Sequence, residues 1–140
     1  MARKILYVIA IIGLSLAVLA YVVTRPGELV TPIGSGTVTV DGQTFEAFPL
    51  PDYVTSIAGV DYLSYLIEVE PGIKIHMLEV GRGFPLFLQH GNPTSGLLYR
   101  KVAEALGADQ FRIIMPTLAG LGFSSKIPAH QHTVENHVRW

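Results

Sequence analysis

Leu86-Phe87-Leu88-Gln89 runs directly into His90-Gly91-Asn92-Pro93-Thr94-Ser95, so an apolar strand ends in a polar, turn-forming tip that opens into a helix. Consecutive apolar residues up to Gln89 suit a strand covered on both faces, as in a parallel sheet. Helical spacing follows, with Ser95 as N-cap, Leu98, Val102 and Leu106 on one stripe and Gly107 as the stop. Phe111 to Met115 is a further apolar strand, which makes the whole a β-α-β crossover, parallel and right-handed. The tip after the first strand then lies at the carboxyl edge of a sheet, where α/β folds collect ligands. Its backbone N–H groups and side-chain amide are suited to stabilising negative charge as it develops.

The segments on either side extend this into an α/β domain that begins near Tyr62. Tyr65 to Glu70, the Pro71-Gly72 turn and Ile73 to Val80 predict an antiparallel hairpin, with Ile73, Ile75 and Met77 buried and Lys74 and His76 on a wet face. Upstream, Thr37 to Val40, Asp41-Gly42 and Gln43 to Phe45 predict a shorter hairpin on a type I′ turn. Phe48 to Val60 reads as irregular or one helical turn, and the Pro- and Gly-rich stretch before the hairpin as a linker. Pro116 to Pro128 predicts a loop, after which Thr133 caps a helix that is still running at Trp140. An end reached mid-helix predicts that the remainder of the domain lies outside these residues.

Ile5 to Val23 is apolar throughout and carries no charge. As a helix it would extend roughly 29 Å, close to the ~30 Å hydrocarbon thickness of a bilayer. Arg3 and Lys4 precede it and Arg25 follows, a bias that keeps the N-terminus cytoplasmic and the body extracytoplasmic. A cleaved signal peptide is the alternative, with Val18 and Ala20 at suitable spacing for cleavage before Tyr21 and secretion of the rest. The expected organisation is therefore a signal anchor or transmembrane helix over residues 1–25, linker and short hairpin over 26–61, and the α/β domain over 62–140.

Charge and composition narrow the function classes. A formal net charge of -1 without a basic cluster beyond the N-terminus gives no footprint for nucleic acid. The absence of cysteine removes disulfides, thiolate metal sites and a Cys nucleophile. His130, His132 and His137 have no carboxylate at ligand spacing and read as a solvated loop rather than a metal site. Gly120 and Gly122 are turn residues, since no Gly-Lys-Ser/Thr follows as a phosphate loop requires. His90, at a strand tip before Gly-Asn-Pro, suits hydrogen bonding to loop backbone better than service as a catalytic base.

From about Tyr65 to Trp140 the chain resembles the N-terminal part of α/β-hydrolase-fold enzymes, most closely the haloalkane dehalogenases and their relatives. Three stretches carry the likeness: His90 to Ser95, Ile113 to Ser124 with Pro116 and Gly120-Leu121-Gly122, and His132 to Trp140. The resemblance implies a sheet that opens with an antiparallel hairpin and continues as a parallel β-α-β unit. It makes His90-Gly91-Asn92 the oxyanion loop. Asn92 before Pro is the dehalogenase trait: its amide would donate to the departing halide and its backbone N–H would hold the oxyanion of an ester intermediate.

The implied reaction is attack by an Asp on a carbon–halogen bond, followed by hydrolysis of the alkyl-enzyme ester, on a small, apolar substrate and without cofactor. The nucleophile, acid and catalytic His of that scheme would follow Trp140, and no Gly-x-Ser-x-Gly or Gly-x-Asp-x-Gly pattern occurs here. Thr117 stands where the family usually has Asp, and Ser125 where Asp often follows Ser. The alternatives are an epoxide hydrolase or esterase of the same fold, or a non-catalytic extracytoplasmic module.

Overall fold

The computed structural model describes residues 2–24, 27–107 and 109–140. Residues Ala2–Thr24 form one helix, α1. The expected span Ile5 to Val23 includes Ile5, Leu6, Val8 and Ile9, whose side chains lie outside the described residues, as do Arg25 and the side chain of Arg3 on which the charge bias was argued. Among the described residues no helix is long and apolar enough to cross a membrane, so the transmembrane expectation gains no support from the fold.

The rest is built on a six-stranded mixed sheet in the order β1-β2-β3-β4-β6-β5. β1 (Thr37–Val40) and β2 (Gln43–Ala47) form the expected hairpin. Asp41 and Gly42 have φ of 50° and 79°, the two positive values that a type I′ turn demands. A short helix, α2 (Asp52–Ala58), follows. β3 (Leu63–Glu70) and β4 (Ile73–Gly81) pair antiparallel across the Pro71-Gly72 turn. β5 (Phe84–Phe87) and β6 (Phe111–Thr117) pair parallel, with Leu86 opposite Ile113, as the crossover rule requires.

β6 also pairs antiparallel with β4, Leu78 opposite Met115, so it fills the slot between β4 and β5. That placement buries β6 and leaves β5 at the edge. The expectation that β5 is covered on both faces therefore fails: Phe84 is 71% and Phe87 60% exposed, because no described element lies beyond the strand. The wet face expected on β4 is corrected for the complementary reason. β4 is a central strand, and His76 is 1% exposed, with Phe48 and Phe123 packed edgewise on its ring. Burial pushes the His76 imidazole down to about 4, and its Nε2 lies 2.8 Å from Ser64 Oγ.

The core has one cluster on each side of the sheet. Ile75, Met77, Tyr65 and Ala119 anchor one, and Leu78, Ile113, Met115 and Ala103 the other. The segment between β5 and β6 starts as a tight 3-10 turn over Gly96–Tyr99 before becoming α3 (Arg100–Leu106), and Ser95 caps it without a side-chain hydrogen bond. A 3-10 turn advances about 3.0 residues per turn rather than 3.6, which rotates the buried face. Leu98 and Val102 are consequently half-exposed, while Leu97, Tyr99 and Ala103 face the core. The stop at Gly107 holds. Thr133 caps α4 (Val134–Arg139), its Oγ1 accepting from the Asn136 N–H.

The stretch expected as a linker is laid along the domain. Val30 and Lys126 exchange backbone hydrogen bonds of 2.9 and 2.8 Å, Thr31 Oγ1 donates to Gly72 O, and Ser35 N donates to Ala47 O. A Cβ on Gly34 would lie 2.1 Å from Ala47 O, so only glycine permits this approach.

Candidate active site

β5 and β6 run side by side, so the loops leaving their carboxyl ends meet. His90 joins them. Its Nε2 accepts the Leu118 N–H at 3.0 Å, which leaves Nδ1 to carry the ring proton and donate to Gly91 O at 2.8 Å. Thr94 closes the turn, with its N–H and its Oγ1 both donating to Gly91 O. His90 is 3% exposed and bonded through both ring nitrogens, an arrangement that fixes the loop and leaves no lone pair for proton abstraction.

The base of the tip is braced in the same way. Tyr99 Oη donates to Gln89 O at 2.7 Å, and Gln89 Nε2 donates to His90 O. Thr117, at the end of β6, accepts the Gly96 N–H at 3.1 Å through Oγ1, satisfying a donor at the start of the 3-10 turn. Gly96 lies so close to β6 that a Cβ there would be 2.6 Å from Met115 O. Thr117 thus has a structural task in the position where Asp was expected. Ser124 and Ser125 have another: β6 ends beside His76, and beyond it the hydroxyls of Ser124 and Ser125 accept the N–H groups of His76 and Lys74, each at 2.8 Å. They continue the ladder on β4 where the strand stops, a role invisible without the register.

On this braced loop Asn92 is exposed, and among the described residues no hydrogen bond engages its amide. Gly91 lies between, open on its Cα side. Asn92 stands at one wall of a cleft of about 330 Å³ whose other walls include Leu118, Leu121, Val134 and Val138. A second cleft of about 340 Å³ lies alongside, lined by Phe87, Met77, Ala119 and Trp140. The site as described is therefore an unengaged amide beside apolar surface. Among the residues lining the two clefts there is no Asp, Glu or Ser to act as a nucleophile.

In and just before the third stretch His130 and His132 are exposed, as expected, and His137 is the exception. The His132 ring lies against Gly120, where a Cβ would sit 2.1 Å from Cε1. His137 is half-buried on α4, 5.6 Å from His132 and 5.7 Å edge-on from Trp140. Burial, and secondarily His132, lowers the His137 pKa. Trp140 Nε1 and the Arg139 guanidinium both bond the Glu70 carboxylate, at 2.9 and 2.8 Å, which pins α4 to the end of β3. Among the described residues no group of three acidic or histidine side chains is arranged to hold a metal ion. His137 lies on the helix expected after Thr133, and the amphipathic spacing of that helix was the sequence signal that could have placed it in a wall.

Residues 85–140 match the model of the alpha/beta hydrolase fold family. The chain is 38% identical over 66 residues to haloalkane dehalogenase 2 of Mycobacterium tuberculosis, covering 47% of this chain and 23% of that protein. It is 41% identical over 69 residues to a haloalkane dehalogenase of Agrobacterium fabrum, covering 49% and 22%. A soluble epoxide hydrolase of a Corynebacterium species is 47% identical over 55 residues, covering 39% and 19%. The crystal structure of a haloalkane dehalogenase of Agrobacterium tumefaciens superposes with a TM-score of 0.52 at 37% identity, over 59% of this chain and 28% of that one. The chain thus spans less than a quarter of the length of these three curated relatives.

Proposed function

We propose that this chain, whose residues 85–140 match the alpha/beta hydrolase fold family and which is similar to haloalkane dehalogenases, carries the N-terminal portion of such a domain and supplies the charge-stabilising loop of a dehalogenase-type hydrolase. One observation carries the reading: the only unengaged polar side chain on the braced His90–Thr94 tip, among the described residues, is the Asn92 amide, and it lines an apolar cleft.

In such a reaction a carboxylate attacks the halogen-bearing carbon and the carbon–halogen bond breaks. An alkyl-enzyme ester forms, the halide leaves with the bonding pair, and water then cleaves the ester. The amide N–H of Asn92 donates to the halide as its charge grows, and an NH₂ group does this without neutralising the anion. The nucleophile comes from the part of the fold that these residues do not contain. The identity to an epoxide hydrolase supports a second reading, in which an epoxide is opened and no anion leaves.

Substrate choice separates the readings. Protein that includes the nucleophile-bearing remainder of the fold is expected to release bromide from 1-bromobutane; turnover of an epoxide or aryl ester with no bromide release would discard the dehalogenase reading.

The proposal includes a location. Its ground is in the sequence: the uncharged run from Ile5 to Val23 and the basic residues before it suit an anchor with a cytoplasmic N-terminus and an extracytoplasmic domain. The expressed protein should stay with membranes through carbonate washing and need detergent for release. Recovery in the wash, or a mature N-terminus at Tyr21, would count against the anchor and, in the latter case, favour a cleaved signal.

A further inference from the structure

The two clefts beside the braced loop are separate cavities that share a wall, and the two residues that line both are Leu118 and His137. The halves of that wall are held differently. Leu118 is tied by its backbone N–H to His90 Nε2 at 3.0 Å. The His137 side chain makes no hydrogen bond among the described residues, and its buried Nδ1 is without a partner. It is held by packing, with His132 on one side and the Trp140 edge on the other. Since burial disfavours the charged form, the ring is a neutral spacer near pH 7.

Beyond the wall, the cleft floored by Ile75 and Met77 and ending at Trp140 is lined mostly by apolar side chains. An alkyl chain whose reactive end sits near Asn92 would have to pass Leu118 and His137 to enter that second cleft.

We infer that His137 is a specificity-determining partition, which limits the candidate site to short-chain substrates by keeping the Asn92 cleft apart from the Trp140 cleft. The inference deepens the hydrolase reading and rests on it for the chemistry at the reactive end, but the partition itself is tested by binding alone.

Trp140 is the only tryptophan in the chain, and a bromoalkane in contact with an indole quenches its fluorescence, so Trp140 reports occupancy of the second cleft. The 140-residue chain, its His137→Ala variant and its His137→Phe variant would each be titrated with 1-bromobutane and 1-bromooctane. Alanine preserves the helix propensity of α4, and phenylalanine refills the wall with a ring of similar size. The unsubstituted chain and His137→Phe should share one ratio of octyl to butyl dissociation constants, the ratio set by direct entry of each probe into the Trp140 cleft. In His137→Ala that ratio should shift by more than about tenfold in favour of the octyl probe, because only the longer chain can span both clefts and each further methylene moved onto apolar surface is worth roughly a fourfold change. The same chain-length ratio in all three proteins, no saturable quenching in any, or His137→Phe behaving like His137→Ala would overturn the partition. Bromide release, measured separately, bears on the hydrolase reading and not on this ratio.

Discussion

The 140 residues alone should release bromide from 1-bromobutane no faster than buffer does. An oxyanion loop lowers a barrier only by stabilising charge that a nucleophile has begun to create, and donors without a nucleophile leave the hard step uncatalysed. The carboxylates with defined partners are committed elsewhere. Glu79 is bonded by Arg112 at 2.6 Å and by Tyr65, Glu46 by Lys74, and Glu70 by Arg139 and Trp140. No carboxylate lines either cleft. His90, the one histidine on the loop, already uses both ring nitrogens. Bromide release by the purified chain that disappears in Asn92→Ala would overturn this and require a nucleophile among residues that have no place in the site.

Where the nucleophile is present, Asn92→Ala should lower turnover by about 10²–10³-fold, the range for losing one preorganised donor of the oxyanion-hole kind. The same substitution should barely change stability. Asn92 is exposed and its side chain bonds nothing among the described residues, so truncation removes no internal contact, and changes at such positions usually stay within about 0.5 kcal/mol. The separation of the two effects is informative. A residue that served only the turn would show the reverse pattern, with stability reduced by about 1 kcal/mol and the chemical step intact.

What could be read from the chain followed from local chemistry. Asp41-Gly42 and Pro71-Gly72 each dictate a tight reversal, and both hairpins form where they stand. Thr133 caps its helix, and the β-α-β rule sets β5 parallel to β6. What could not be read depends on partners distant in sequence. Alternation on β4 identifies a buried face at Ile73, Ile75 and Met77 but cannot say that β6 comes to lie against the same strand, and so His76 was expected in water. The apolar run of β5 looks central and is an edge among the described residues, for burial belongs to neighbours and not to composition.

The candidate site divides along the same line. Asn92 and His90 stand out from their own motif. Thr117 and Ser125 looked like departures from a family pattern until their hydroxyls, with that of Ser124, were seen to satisfy backbone N–H groups across the fold. His137 was expected on the helix that Thr133 caps, but among solvated histidines; its place in a cleft wall depends on segments such as Ile67 to Val69 and Pro116 to Ala119, which helical spacing alone does not reveal.

The most direct test of Asn92 as the halide-stabilising donor is single-turnover bromide release, recorded beside thermal unfolding for the complete fold and its Asn92→Ala variant. The expected result is a first-turnover rate lower by two to three orders of magnitude at an unchanged unfolding midpoint. A first turnover as fast as that of the unsubstituted protein, with a lowered midpoint, would contradict it and make Asn92 a turn residue.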